Sequence, residues 1–427
     1  MEQIEYPSQS LWSTILARPT NSYNSLEPLV KEVFNEVAIK GDKAVKEYTE
    51  QFDGVLLEDP KVPQRALDNA ADVLSDELKM AMTQAKQNIE KFHRAQKTSK
   101  VQLTTQAGVE CWQVKRPVEK VGLYIPGGSA PLFSTIMMLA IPAQIAGCEE
   151  RILCTPPNEK GDVDPAILYA AQLCGITTVY RVGGIQAIAA MTLGTAAIPK
   201  VYKIFGPGNQ FVTAAKQWAT KFHVAIDLPA GPSELLVAAD DTSNPNYVAA
   251  DLLSQAEHGP DSQVVLVSTS SSLIEDVKKA IDIQLDQLPR KEIATRALEN
   301  SRAILVASDT AAIDLINAYA PEHYIIMTKN EQDYVDGVHN AGSVFIGAYT
   351  PESAGDYASG TNHTLPTNGY ARQYSGVNLD SFMKAITFQK ITDQGLQKLG
   401  PAIEIMAAAE GLEGHKNAVS IRLKDLL

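Results

Sequence analysis

Between residues 121 and 346 the chain alternates short apolar runs with stretches of helical spacing. Runs at 121–125, 151–155, 178–182, 201–205 and 224–228 predict strands, and 131–146 and 165–174 predict helices between them. A second alternation follows the Gly231-Pro232-Ser233-Glu234 turn, with strands predicted at 235–239, 263–269, 303–307, 324–328 and 343–346. Strands that alternate with helices need crossover connections, so each set predicts a mainly parallel sheet. The expected fold is α/β, with two Rossmann-like open sheets in one subunit and an incomplete dinucleotide fingerprint.

The flanks read as helical. Leu29, Val30, Val33, Phe34 and Val37 follow helical spacing from Leu26, with Ser25 as N-cap. A polar helix is predicted over 75–96 on a thin stripe of Met80, Met82, Ala85 and Ile89, with His93 read as solvated. Segment 350–369 is rich in Gly, Ser, Thr, Asn and Pro and predicts a long functional loop. Beyond Leu379, helical spacing around Leu396, Leu399, Ile403, Ile405 and Met406 predicts a small helical tail suited to packing on a partner subunit. The expected division is an N-terminal segment 1–21, a discontinuous α/β domain of 22–123 and 234–377, a second α/β domain of 124–233, and a tail of 378–427.

Composition narrows the function classes. A chain of 427 residues with 45% hydrophobic and 20% charged content is that of an ordinary globular protein. A net charge of −13 disfavours nucleic acid and anionic membranes as main partners. The uncharged run 121–148 is interrupted by Pro126, Gly127, Gly128, Pro131 and Pro142, which argues against a membrane span. No secretory pattern opens the chain, and the four cysteines show no paired spacing, so a cytoplasmic location is expected. The cysteines read as core residues rather than ligands or nucleophiles, with Cys154, at a predicted strand end, the one held in reserve.

Three strand-to-helix junctions are rich in Gly and Pro: 126–129, 183–186 and 206–209. Such turns let the backbone approach a ligand and present free helix amides to a pyrophosphate. None matches GxGxxG, and each alone is more often a tight turn, yet three at the carboxyl edge of one sheet suit a dinucleotide or similar ligand. The stretch 254–263 places Gln255 and His258 three residues apart, within reach of one ion, although a helix-ending histidine is the plainer reading. Of seven histidines, His258, His323, His363 and His415 stand beside carboxylates in junctions or loops. With Gln255 and Asp356 they suffice for a mixed N/O metal site and a separate acid/base pair. Zinc leads, with manganese or cobalt also compatible. Glu322 and His323 open a predicted strand, where they could divide base work or simply form a charged strand start.

The runs VGLYIPGG, PLFSTIMMLA, KIFGPGNQFV, DLPAGPSELLV, DLLSQAEHGPDSQ, PEHYII, SAGDYASGTNHTLPT and GHKNAV follow one another from about Tyr124 into the tail. Together they resemble histidinol dehydrogenase. The resemblance implies a zinc-dependent oxidation of L-histidinol to L-histidine through L-histidinaldehyde with two NAD, the final step of histidine biosynthesis. It implies Gln255, His258, Asp356 and His415 as zinc ligands and Glu322 and His323 as the acid/base pair. Ser233, His363 and Glu410 would contact substrate together with the ligands and His323, while Tyr124, Gln186 and Asn209 would contact NAD. It further implies a homodimer whose tail crosses to the other subunit. The one departure is a longer charged stretch at Asn158 to Asp164, expected in a surface loop. A metal-dependent hydrolase and a non-catalytic two-lobed binding protein are the alternatives.

Overall fold

Two parallel sheets form where the alternation predicts them, and they share one strand order. The computed structural model describes residues 1–19, 26–127, 130–229 and 231–426, so the expected cap Ser25 and the turn residues Gly128 and Ser129 lie outside the described residues. The larger sheet runs Glu2–Glu5, Arg302–Leu305, Gln263–Ser268, Glu234–Ala239, His323–Met327, Ser343–Ile346, parallel throughout. The smaller runs Thr178–Arg181, Glu150–Thr155, Lys120–Tyr124, Lys203–Phe205, Ala225–Ile226, also parallel throughout. Leaving the Glu2–Glu5 edge aside, each sheet is ordered third, second, first, fourth, fifth in chain sequence. Each therefore reverses direction beside its first strand, between 120–124 and 203–205 in one and between 234–239 and 323–327 in the other. Such reversals open a crevice that helices cannot cover.

Burial on both faces explains why these strands read as continuous apolar runs. In Glu234–Ala239 every residue is buried. Leu235 and Val237 join a core with Leu252, Ile274 and Val277, and Leu236 and Ala238 join another with Leu315, Ile316 and Tyr319. Helices Glu27–Lys40 and Asp42–Asp53 share the smaller sheet's core, with Val30, Val33, Phe34 and Val37 packed among Ile185, Ile188 and Met191. The sequence reading had grouped them with 234–377.

Several local readings change. Glu2–Glu5 is an edge strand, too short and polar to stand out from a helical flank. His93 is fully buried rather than solvated, because it extends the stripe Met82, Ala85, Ile89 by one further turn, and its Nδ1 lies 2.9 Å from the Ile89 carbonyl. Met80 faces solvent instead. Cys154 is buried, and burial pushes its thiol pKa up, which removes it as a nucleophile. Segment 350–369 is not loop throughout: Pro351 precedes a short helix, Glu352–Tyr357.

Contacts set apart a second compact unit, Lys97–Val118 with Phe382–Leu427. Within it, strands Val101–Gln106, Val109–Pro117 and Met383–Ile391 form an antiparallel sheet, and helices Asp393–Ala409 and Glu413–Lys424 pack together. The expected helical tail thus begins with a strand, whose Phe388 stacks on Trp112. Among the described residues no helix is long and apolar enough to cross a membrane.

Candidate active site

The carboxyl edge of the smaller sheet and the amino edge of the larger one line a single cavity of about 1010 Å³. From the smaller sheet come Tyr124, Gly127, Gly184 and the 206–209 turn. Tyr124 accepts a hydrogen bond from the Gly184 amide at 3.1 Å. Gly206 has φ +130°, and a Cβ there would sit 2.0 Å from the Tyr124 carbonyl oxygen, so the turn closes onto the first strand only as glycine. Lys216 and Asp227, both buried, pair at 2.5 Å and clamp that turn: Lys216 donates to the Gly206 carbonyl and the Gly206 amide donates to Asp227, each at 2.7 Å. Asn209 Oδ1 caps helix Gln210–Ala219 by accepting from Phe211 and Val212. Those two amides are therefore not free for a phosphate.

From the larger sheet come Ser233, Glu322 and His323 at strand starts, and Gln255 and His258 at the end of helix Pro245–Ala256. Gln255 is 1% exposed, and neither its Oε1 nor its Nε2 has a hydrogen-bond partner. His258 follows one turn later and opens onto the cavity. Helix Glu352–Tyr357 brings in Glu352 and Asp356, four apart and so on one face. His323 Nε2 stands 3.3 Å from Asp356 Oδ1, and His323 Nδ1 stands 3.3 Å from Glu352 Oε1. These four atoms pair by charge, and His323 Nε2, Glu352 Oε1 and Asp356 Oδ1 lack hydrogen-bond partners. His363 is held by Thr135 Oγ1 at 3.0 Å and the Asp356 carbonyl at 2.8 Å.

The electrostatics follow from this crowding. Burial disfavours the His323 imidazolium, but Glu352 and Glu322, then the contact with Asp356, outweigh it and raise its pKa well above the ordinary value. Burial alone would raise Asp356, yet His323, His363 and His258 hold it below the ordinary carboxylate value. Glu352 is pushed well up by burial, with Asp356, Glu322 and Asp251 adding to the rise against the pull of His323. Among the described residues six carboxylates line the cavity (Asp53, Glu159, Asp227, Asp261, Glu322 and Asp356), against one lysine, Lys216, already paired. Such a cavity favours a cationic ligand and a metal.

The histidinol dehydrogenase family model matches residues 16–423. Histidinol dehydrogenase of Bacteroides thetaiotaomicron is 57% identical over 426 residues, covering 100% of both chains. That of Escherichia coli is 51% identical over 415 residues, covering 96% of this chain and 95% of its own. A crystal structure of histidinol dehydrogenase from Elizabethkingia anophelis matches with a TM-score of 0.97 at 55% identity, over 100% of this chain and 98% of that one. The chain belongs to the histidinol dehydrogenase family. Histidinol dehydrogenases are NAD-dependent oxidoreductases that catalyse the final step of histidine biosynthesis and use Zn2+.

The donor set fits a histidinol dehydrogenase zinc. An unpartnered amide, Gln255, a carboxylate, Asp356, whose Oδ1 meets His323, and an imidazole, His258, reach one cavity, all N or O donors. The tightest cluster, however, is His323, Glu352 and Asp356, whose ligand atoms lie within 4.8 Å of one another. Of the residues expected from sequence, Ser233, Gln255, His258, Glu322, His323, Asp356, His363, Tyr124 and Asn209 line the cavity. Gln186 is buried beneath it, donating to Asp53 at 3.2 Å. Glu410 and His415 lie exposed on the second unit. The charged stretch expected in a surface loop is exposed at Asn158 and Glu159, which also border the cavity. Sequence reading missed Glu352; its four-residue spacing from Asp356 carries meaning only once 352–357 is helical.

Behind Glu352, Asp251 is 5% exposed, and burial pushes its pKa up to about 7, against a hydrogen bond from the Glu352 amide. A carboxyl whose pKa is raised on folding stabilises the fold only while protonated, so that stability is lost as pH rises through 7. Asp251→Asn should therefore stabilise the protein at pH 8 by about 2–4 kcal/mol, with a gain that shrinks towards pH 5. Unfolding followed at both pH values checks this, and an equal effect at both contradicts it.

Proposed function

We propose that this chain oxidises L-histidinol to L-histidine through a retained L-histidinaldehyde, passing two hydrides to two NAD in turn. The observation that carries this reading is the single cavity lined by the carboxyl edge of the smaller sheet, at its reversal point, and by the amino edge of the larger, one edge glycine-rich and the other holding the Glu322-His323 pair. Gln255, His258 and Asp356 would hold zinc, with His415 of the same chain or a second copy as fourth ligand. When bound, zinc supplies a Lewis-acid anchor for the substrate's nitrogens and oxygen, and NAD supplies the hydride acceptor.

The chain's own groups divide the proton work. His323 takes the hydroxyl proton as the first hydride leaves, and Glu352 and Glu322 stabilise the imidazolium that forms. Glu322 then removes a proton from water as it adds to the aldehyde, and the second hydride leaves from the hydrate. Each oxidation releases one hydride and one proton, and the added water provides the second carboxylate oxygen. Ser233, His363 and Glu410, together with the metal ligands and His323, orient the substrate, whose amine and imidazole suit the acidic lining. Tyr124, Gln186 and Asn209 support NAD, Gln186 through Asp53. Keeping 234–377 on the acid/base side and 124–233 on the NAD side is part of this reading.

A homodimer with exchanged tails and a cytoplasmic location complete the proposal. The second unit supports the former by exposing Ile405, Met406 and Ile421, apolar side chains suited to cover by another copy.

Glu322→Gln should slow oxidation of supplied histidinaldehyde by about 100-fold or more while sparing alcohol oxidation to a greater degree. Wild-type aldehyde turnover in this variant would eliminate the water-activating role. Asp356→Ala should purify with less than about a tenth of the zinc of the parent by elemental analysis, in line with the loss of one ligand. Full zinc content would remove Asp356 from the ligand set.

A further inference from the structure

The peptide of Glu234 touches both members of the acid/base pair. Its N–H donates to Glu322 Oε2 at 2.8 Å, and its carbonyl accepts from His323 Nδ1 at 3.2 Å. A carbonyl only accepts, so this contact places the neutral ring's proton on Nδ1 and leaves Nε2, the atom nearest Asp356, as the basic nitrogen. The pairing register explains the reach: His323 lies opposite Leu235, which sets Glu322 opposite Glu234.

What holds that peptide is its own side chain. The Glu234 carboxylate is 1% exposed and takes a bidentate pair from Arg18, Nε to Oε1 at 2.9 Å and an Nη to Oε2 at 2.8 Å. The Asn368 amide donates to the same Oε1. Arg18 is fixed in turn: it donates to the Tyr319 carbonyl at 2.7 Å and lies 3.9 Å over the Tyr319 ring. The Tyr319 hydroxyl donates to Gln263 at 2.9 Å, and Gln263 Nε2 donates to the Ala17 carbonyl, next to Arg18. This loop of contacts closes on itself in the buried edge of the larger sheet. Arg18 also neutralises a carboxylate that would otherwise repel Glu322, with which Glu234 interacts by charge.

We infer that Arg18 and Glu234 are positioning residues of the acid/base pair, with Arg18 fixing the Glu234 peptide that holds Glu322 and sets the His323 tautomer. This rests on the roles proposed above for Glu322 and His323. Neither Arg18 nor Glu234 lines the cavity; their contribution is the placement of groups whose misplacement by about 1 Å can cost 100-fold in rate.

A cycle of four proteins tests it: the parent, Arg18→Lys, Glu322→Gln and the double variant, each assayed for oxidation of supplied histidinaldehyde with NAD. Arg18→Lys keeps the charge and loses the bidentate fork. It should lower kcat for the aldehyde by about tenfold or more in the parent, leave the KM for NAD within about twofold, and lower kcat by less than about twofold in the Glu322→Gln background. Equal losses in both backgrounds, or an unchanged kcat alongside a lowered melting temperature, would overturn the inference. If Arg18→Lys does not fold, Glu234→Gln is read through the same cycle with the same expectations. A normal aldehyde rate for Glu322→Gln alone would instead overturn the role of Glu322, so the two failures are told apart.

Discussion

A buried polar atom without a partner costs roughly 1–3 kcal/mol, and both terminal atoms of Gln255 stand so at this cavity, beside a crowded His323 whose Nε2 and Nδ1 face Asp356 and Glu352 as ion pairs at 3.3 Å. A fold that served only stability would pair them or replace them with apolar groups. Here their cost is sustained by extensive apolar burial on both sheets, where strands such as Glu234–Ala239 and Gln263–Ser268 are buried throughout. The surrounding carboxylates give those donors a purpose: a negative, crowded site binds a cation and an imidazole-bearing, amine-bearing substrate better than water does. The family's use of zinc follows the same physical demand.

The two sheets meet this site with opposite ends. The smaller offers its carboxyl edge, where open α/β sheets usually bind ligands, and its Gly206 turn is locked by Lys216 and Asp227 rather than left loose. The larger offers its amino edge, so Glu322 and His323 come from the start of a strand and face the cavity through the neighbouring Glu234 peptide.

Much of this could be read from the chain before any coordinates. Apolar runs revealed the strands because burial on both faces removes polar alternation, and the glycine-rich junctions marked one wall of the cavity. The amino-edge placement of Glu322 and His323 was visible as a strand start but had no meaning without strand order. Glu352 was hidden because Gly, Ser and Thr composition suggested a loop, whereas Pro351 starts a helix there. His93 looked solvated among lysines and an arginine, yet its four-residue step from Ile89 decides its burial. Asn209 stands in the expected turn, but its side chain already caps a helix. Glu410 stood out only through the resemblance, and His415 otherwise only as a histidine beside a carboxylate, because nothing in their local spacing marks a site.

The central claim is that both oxidations occur in this one cavity without release of the aldehyde. The most direct measurement is the amount of NADH formed per L-histidinol consumed, with NAD in excess and an aldehyde trap present. Two NADH per histidinol, with the trap unreacted and L-histidine as product, is the expected result. One NADH per histidinol with trapped aldehyde, or no NADH at all, would contradict it.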